Sequence, residues 1–314
     1  MRRIVVSEFM DEAILRQGLE GCEIAYDPGL VDRPDELAVL VAEADALIVR
    51  NRTRVTAALL SGAARLKAVG RLGVGLDNID LEACRSRNIA VLPARGANDV
   101  SVAEYVVSVS LQLLRGAYGA TSAMADGAWP RAALSDGGEI MGRTLGLIGF
   151  GSIARETARR CAALGMRVTA YDPLLPAGDA AWTMPFGRVE RVELAELIAQ
   201  SDVISLHVPL TDDTRRMIDA AAIGAMKPGA ILINAARGGI VDEAALAEAL
   251  RAGRIGGAAL DVFENEPLPK EDAARFKGID RLILTPHIAG LSAESNLRVS
   301  KVVVDAVRNC LEGN

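Results

Sequence analysis

The stretch Thr144-Leu145-Gly146-Leu147-Ile148-Gly149-Phe150-Gly151-Ser152-Ile153-Ala154 decides the fold class. A short apolar run reads as a strand, a glycine pair follows at once, and Arg155 to Leu164 continues with helical spacing. In such a strand-turn-helix the first glycine makes the tight turn and the second lets the backbone approach a pyrophosphate. A small third residue, here Ala154, lets the helix pack closely on the strand. A second strand over Arg167 to Ala170 ends beside Asp172, which lies 23 positions after Gly149. That is near the spacing of roughly 20 at which an acid meets the adenosine ribose of a dinucleotide. Asp172 would accept from the ribose hydroxyls and repel a 2′-phosphate, and Pro173 beside it supplies no offsetting cation. NAD is therefore expected rather than NADP.

Outward from this motif, short β-branched runs alternate with helical stretches, the pattern of parallel sheets covered by helices. One set comprises Arg3 to Val6, Ala46 to Val49, Lys67 to Gly70 and Ala90 to Leu92. A second comprises Thr144 to Ile148, Arg167 to Ala170, Val203 to Leu206, Ala230 to Asn234, Gly257 to Leu260 and Arg281 to Leu284. Between them, Asn98 to Gly116 predicts a long joining helix with Ser101 as N-cap and Glu104 completing a capping box. Residues 172–192 carry three prolines and scattered turn residues and predict no element. Asn296 to Leu311 predicts a final helix, which periodicity alone does not assign to either domain.

The chain's 314 residues suit two domains at roughly 100 to 200 residues each. Hydrophobic residues make up 50% and charged residues 24%, which excludes disorder. A net charge of -6 leaves no cation excess for a nucleic acid or an anionic membrane, so neither partner is expected. Cys22, Cys84, Cys161 and Cys310 form no close pair, as in a metal knuckle or redox motif, and no metal is expected. Free thiols, no signal-peptide core after Met1 and no apolar run of membrane length predict a cytoplasmic protein.

Only His207 and His287 are available as imidazole acids or bases, and both follow strands of the second set. Ligands of an open parallel sheet bind outside the carboxyl ends of the strands, so both are candidates on topology. Arg237, Asp261 and Glu266 lie after strand ends or close by.

The segments around them, NAARGGIVDEAAL, ALDVFENEPLP and LTPHIAG, resemble the signatures of the D-2-hydroxyacid dehydrogenase family, especially its phosphoglycerate dehydrogenase branch. GRLGVGLDNID, ANDVSVAEY and HVPLTDDT extend the likeness over most of the chain, in order. The resemblance implies a Rossmann cofactor domain, 98–290, inserted into a flavodoxin-like substrate domain, 1–97 plus 291–314, both doubly wound α/β, with the active site in the cleft. It implies a catalytic His287, which exchanges a proton with the substrate oxygen, and Glu266, which orients the ring and stabilises the imidazolium. It implies Arg237 as a planar fork that holds the 2-hydroxy carboxylate.

By the same likeness Gly149, Gly151, Ser152, Ile153 and Asp172 hold the adenosine and pyrophosphate of NAD. Val74, His207, Val208, Pro209, Thr214, Ala235, Ala236, Arg237, Asp261, His287, Ala289 and Gly290 line the rest of the cofactor, with Asp261 on the nicotinamide amide. His207 is read as a cofactor-side or loop residue rather than the base. The turn Gly73-Val74-Gly75 resembles the family's carboxylate-binding turn.

Arg50, with Asn51 beside it, and Arg71 match positions where phosphoglycerate dehydrogenases carry cations for a distal phosphate. The substrate expected is thus a small 2-hydroxy or 2-keto acid with a second anionic group. The reading favoured is a phosphoglycerate dehydrogenase-like enzyme. The opening SEFMDE and YDPGLVDRPDEL resemble (S)-sulfolactate dehydrogenases of the same family, whose sulfonate would use the same pocket. Ending at Asn314, the chain is expected to lack the amino-acid-sensing extension of many phosphoglycerate dehydrogenases, which disfavours serine feedback. The stretch Ala117 to Gly142 resembles the family's subunit-embracing arm and predicts a homodimer. Corepressors of this fold, which sense NAD and bind peptides, are the alternative of another class, but nothing in Arg2 to Val49 announces a peptide groove.

Overall fold

Strands form where β-branched and aliphatic residues run together, and their alternation divides the side chains between two helical layers. A computed structural model describes residues 1–313; Asn314, where the expected substrate domain ends, lies outside the described residues. Contacts divide the chain into two units, one of Met1–Asn98 with the stretch from Leu291, the other Asp99–Gly290.

The first unit holds five parallel strands, β1 (Arg3–Val6), β2 (Glu23–Tyr26), β3 (Ala46–Val49), β4 (Ala68–Arg71) and β5 (Ala90–Pro93), in the order β2-β1-β3-β4-β5. This is the flavodoxin-like order. Ile4, Val6 and Ile48 face one layer, where Val299, Val303, Val304 and Val307 of the C-terminal helix Ala293–Glu312 complete the core. Val5, Leu47 and Val49 face the other, with Leu37, Val41 and Leu60. β2 is not among the expected strands. It is an edge strand with partly exposed residues and a leading Glu23, so its apolar signal is weak.

The second unit holds β6 (Thr144–Ile148), β7 (Arg167–Tyr171), the hairpin strands β8 (Thr183–Met184) and β9 (Gly187–Arg188), then β10 (Glu190–Arg191), β11 (Val203–Leu206), β12 (Ile231–Asn234), β13 (Gly257–Leu260) and β14 (Leu282–Leu284). Seven of these form a parallel sheet in the order β10-β7-β6-β11-β12-β13-β14. The chain order reverses direction at the neighbouring pair β6 and β11, the place where an open sheet of this kind binds its ligand. Leu145, Leu147, Ile231 and Ile233 face Val106, Val109 and Leu113 of the helix Asp99–Arg115. Ile148, Ile204, Leu232 and Leu260 face the opposite layer.

Three expectations need correction. The helix opening the second unit begins at Asp99, so Ser101 sits inside its first turn and forms no capping box with Glu104, whose carboxylate instead takes Arg160 Nη2 at 3.3 Å. The capping box occurs at the C-terminal helix, where Ser292 and Ser295 satisfy each other's backbone N–H, and that helix therefore starts at Ala293 rather than Asn296. Residues 172–192 are ordered by the β8–β9 hairpin, by β10 and by Trp182, which is fully buried and donates from Nε1 to Pro176 O at 2.8 Å.

Candidate active site

The turn after β6 combines tight packing on the protein side with an open helix start on the other. Gly149 has φ +88°, and a Cβ there would lie 2.6 Å from the carbonyl oxygen of His207, so glycine lets the loops after β6 and β11 touch. At Gly151 a Cβ would meet nothing within 4 Å, so no neighbouring protein atom demands the missing side chain. Gly151 caps the helix Ser152–Ala163 without a side-chain bond, leaving the first N–H groups, including those of Ser152 and Ile153, facing outward at the positive end of the helix dipole. Phe150 is buried and stacks on Trp182 with ring centroids 4.9 Å apart and planes 6° apart, which braces the turn from behind.

Asp172 ties this turn to the end of β7. One carboxylate oxygen accepts from Phe150 N at 2.9 Å, the other from Leu174 N at 3.0 Å and Leu175 N at 3.2 Å. A carboxylate has about four lone-pair directions, so three backbone donors leave room for about one ribose hydroxyl bond. An open cradle, an uncapped helix start and an acid at the second strand end together fit a dinucleotide.

The loops after β12, β13 and β14 bring Arg237, Asp261, Glu266 and His287 into this unit's remaining polar cluster. His287 Nδ1 lies 2.7 Å from Glu266 Oε2, and Glu266 Oε1 accepts from Phe263 N at 3.0 Å. Burial would raise the Glu266 pKa, but the hydrogen bond and charge of His287, the Phe263 N–H and the Arg237 guanidinium outweigh it and hold the carboxyl below its ordinary value. His287 has φ +56°, a left-handed conformation uncommon for a side-chain-bearing residue. It is held there because its N–H reaches Asp261 O at 2.7 Å, while the buried Asp261 carboxylate accepts from Thr285 Oγ1 at 2.6 Å, Ile288 N at 2.8 Å and Ala289 N at 2.8 Å. Burial raises the Asp261 pKa against these bonds. Tyr105 hydroxyl lies 2.7 Å from Thr285 Oγ1 and is pushed up to about 12 by burial. Tyr105 and Thr285 lie within the ANDVSVAEY and LTPHIAG segments, but neither is among the site residues expected from the sequence.

Arg237 stands in a turn braced by Asn234, whose amide donates to Arg237 O at 2.8 Å and accepts from Ala236 N at 3.1 Å. Gly238 abuts the Phe263–Glu264 peptide so closely that a Cβ would lie 1.7 Å from Phe263 O, which locks the Arg237 turn to the Glu266 loop. Ala235 and Ala236 are half-buried beside it, and Ala289 is buried, with half-buried Gly290 closing the His287 turn. His207 behaves differently from His287. Its Nε2 lies 3.0 Å from Ser205 Oγ, and burial pushes its pKa down to about 4, so the ring is neutral near pH 7. Val208 and Pro209 follow it, and Thr214 Oγ1 donates to Pro209 O at 2.7 Å, closing that loop on itself.

The first unit contributes a separate cluster at the carboxyl ends of its strands. Arg50 is half-buried. Its Nη2 donates to Asn296 Oδ1 at 3.1 Å, its guanidinium lies 5.7 Å from the Phe9 ring centroid, and its buried Nε has no hydrogen-bond partner among the described residues. Burial lowers its pKa, opposed by the charge of Glu8. Asn51 beside it is exposed. Arg71 is only 7% exposed, and its Nη1 donates to Leu72 O at 2.8 Å as the guanidinium folds across Gly73. Val74 is exposed and Gly75 half-buried in that turn. Glu8, Phe9 and Asn296 are absent from the site residues expected from the sequence; the position of Glu8 and Phe9 just past the end of β1 is the signal that could have found them.

Residues 107–289 match the family model described as "D-isomer specific 2-hydroxyacid dehydrogenase, NAD binding domain". The chain is 54% identical over 312 residues to an (S)-sulfolactate dehydrogenase of Chromohalobacter salexigens, covering 99% of both chains. It is 39% identical over 313 residues to a D-3-phosphoglycerate dehydrogenase of Archaeoglobus fulgidus, of which it spans 58%. Its fold superposes on the crystal structure of the TT0316 protein from Thermus thermophilus with a TM-score of 0.89 at 34% identity, covering 99% of this chain and 97% of that one. The chain thus belongs to the D-isomer-specific 2-hydroxyacid dehydrogenases, enzymes that use NAD to interconvert a 2-hydroxy acid and its 2-keto acid.

Proposed function

We propose that the substrate is a 2-hydroxy acid with a sulfonate at C3, (S)-sulfolactate, and that Arg237, Glu266 and His287 perform the reaction. The observation that carries the substrate reading is the full-length 54% identity to a sulfolactate dehydrogenase. Arg50 supports an anionic substrate: it is a partly buried cation whose direct contacts, Asn296 and Phe9, are neutral, although it also feels the charge of Glu8. The phosphoglycerate relative at 39% keeps 3-phosphoglycerate as the second reading. NADH formation measured on both acids decides between them: a higher kcat/KM for 3-phosphoglycerate would refute the sulfonate assignment.

Bound NAD would supply the acceptor for the hydride of C2. His287, with Nδ1 held by Glu266, takes the hydroxyl proton on Nε2 as the carbonyl forms, and returns it in the reverse direction. Glu266, held below its ordinary pKa, is anionic at neutral pH and stabilises the imidazolium so formed. Arg237 offers a planar fork for the substrate carboxylate, and the Gly73-Val74-Gly75 turn supplies backbone donors to the same group. Asp172 would hold a ribose hydroxyl, the Ser152 and Ile153 N–H groups the pyrophosphate, and Asp261 the carboxamide. Val74, His207, Val208, Pro209, Thr214, Ala235, Ala236, Ala289 and Gly290 line the cofactor. Arg50, Asn51 and Arg71 face the distal anion.

The protein is further read as a cytoplasmic homodimer with no nucleic-acid or membrane partner, in keeping with its net charge of -6. Tyr118, Trp129 and Met141, exposed along the arm Ala117 to Gly142, supply the apolar surface for a second copy. Light scattering that gives a monomer mass at micromolar concentration would refute the dimer.

A further inference from the structure

We propose that Glu8 is a positioning residue that sets the enzyme's preference for a substrate with a distal anion, by clamping the loop that carries Arg50. The inference rests on the reading of Arg50 given above. Glu8 follows β1 directly and is 5% exposed, a buried carboxylate that forms no ion pair among the described residues. Its oxygens are spent on one short loop: Oε1 accepts from Arg50 N at 2.8 Å and Thr53 N at 2.9 Å, and Oε2 accepts from Arg52 N at 3.1 Å. Buried Ser7 and Thr53 add a hydroxyl pair at 2.9 Å. From the opposite side Asn78 donates to Arg50 O at 3.0 Å and Thr53 O at 2.7 Å. Loop N–H and C=O groups are thus fixed from both directions, and the loops after β1, β3 and β4 are stitched together. Buried polar groups are expensive unless fully bonded, so a buried carboxylate devoted to three loop donors marks a conformation that must be held.

The held feature is the Arg50 guanidinium. Phe9, the neighbour of Glu8, lies under its face, and Asn296 binds one of its nitrogens. Neither contact neutralises its charge, and Glu8 acts on it only at a distance without a direct salt bridge, so the cation is presented rather than consumed. Glu8 acts on the substrate only through this geometry. Its own negative charge opposes anion binding, so any benefit it brings comes through the geometry its three backbone bonds impose on the loop.

The test compares KM and kcat for (S)-sulfolactate and for lactate of the matching configuration, which lacks the distal group, in the intact enzyme with NAD. Glu8→Ala is expected to raise KM for sulfolactate roughly tenfold while lactate kinetics move less than about twofold, in line with displacing one charge-assisted contact. Glu8→Gln keeps an acceptor for Arg50 and Thr53 but turns an N–H₂ toward Arg52, and is expected to raise the sulfolactate KM by about threefold. Equal changes on the two acids, in either variant, would overturn the inference, since a merely structural role would not separate them. Should Glu8→Ala fail to fold, Glu8→Gln decides alone by the same contrast. Arg50→Ala distinguishes the two levels of the argument. If it separates the acids and the Glu8 variants do not, the inference alone falls; if it does not separate them, the distal-anion reading falls and the inference with it.

Discussion

Replacing Asp172 by Asn should weaken the preference for NAD at a modest cost in stability, and the structure allows both effects to be sized. The Phe150 N–H is buried, so leaving it without its acceptor costs about 1–3 kcal/mol. The Leu174 N–H is exposed and can turn to water, and the Leu175 N–H is partly so. Asn retains one oxygen for these two and turns its N–H₂ toward Phe150, so Asp172→Asn should cost about 1–2 kcal/mol, whereas Asp172→Ala, which loses all three bonds, should cost about 2–4 kcal/mol. A 2′-phosphate within about 5 Å of the carboxylate meets repulsion of about 0.8–3 kcal/mol per unit charge, for an effective dielectric between 80 and 20. Asn removes that repulsion and also the charge-assisted ribose bond, worth about 1.5–3 kcal/mol to NAD. The kcat/KM for NAD should therefore fall by roughly ten- to a hundredfold while that for NADP rises, with the melting temperature only slightly lowered. Initial rates with each cofactor, beside a thermal melt, make the measurement. Equal kcat/KM for NAD and NADP in the unmodified protein would refute the ribose assignment, and an unchanged ratio in the Asn variant would refute the charge argument.

His287→Ala should lower turnover by roughly 10² to 10⁴ with NADH binding, followed by its fluorescence, nearly intact, and His207→Ala should lower it much less; the opposite ranking would reverse their roles. Glu156 is held at about 2 by Arg159 and Arg160, against the opposing effect of burial, so its contribution to stability is present above about pH 4.5 and is lost as pH falls through about 2. Urea melts between pH 5 and 2.5 should therefore show a shallower loss of stability in Glu156→Gln than in the parent, and parallel curves would contradict the shift. Trp182→Ala removes a fully buried ring stacked on Phe150 and should cost about 3–5 kcal/mol, with the Michaelis constant for NAD raised because the turn behind the pyrophosphate loses its brace.

The parallel sheets are readable because their strands are buried on both faces and so appear as continuous aliphatic runs: Ala46–Val49 and Val203–Leu206 are buried at every position. Where burial is partial the signal fades. Glu23–Tyr26 has no fully buried residue and escapes a reading by pattern, and β10, two exposed residues long, gives no periodicity at all. Trp182 shows the same limit from the other side. It is among the most buried side chains of the molecule, but it stands in a segment punctuated by prolines, and its burial comes from Phe150, 32 positions earlier. The misplaced capping box has a local cause. Ser-x-x-Glu occurs at Ser101, but the helix already runs from Asp99, so Ser101 is not at its N-cap, and the Glu104 carboxylate lies against Arg160.

The site divides along a similar line. Arg237, Glu266 and His287 are legible chiefly through their likeness to the family signatures; their places after strands of a parallel sheet make them candidates, but on topology alone His207 is one as well. What brings their loops together is not legible, since it runs through space. The Asp261 carboxylate gathers Thr285, Ile288 and Ala289 to fix the left-handed His287, and the missing side chain of Gly238 lets the Arg237 turn meet the Glu266 loop. The same holds for Asp172, whose spacing suggests a ribose contact but whose three backbone bonds also give it a structural role. In the proposed reading one carboxylate is both ligand contact and scaffold, and a substitution designed to change cofactor preference costs less stability if it keeps an acceptor for Phe150 N. Asp172→Asn with a cation introduced at exposed Pro173 is the pair expected to relieve the 2′-phosphate repulsion, at a cost of about 1–2 kcal/mol from the Phe150 bond.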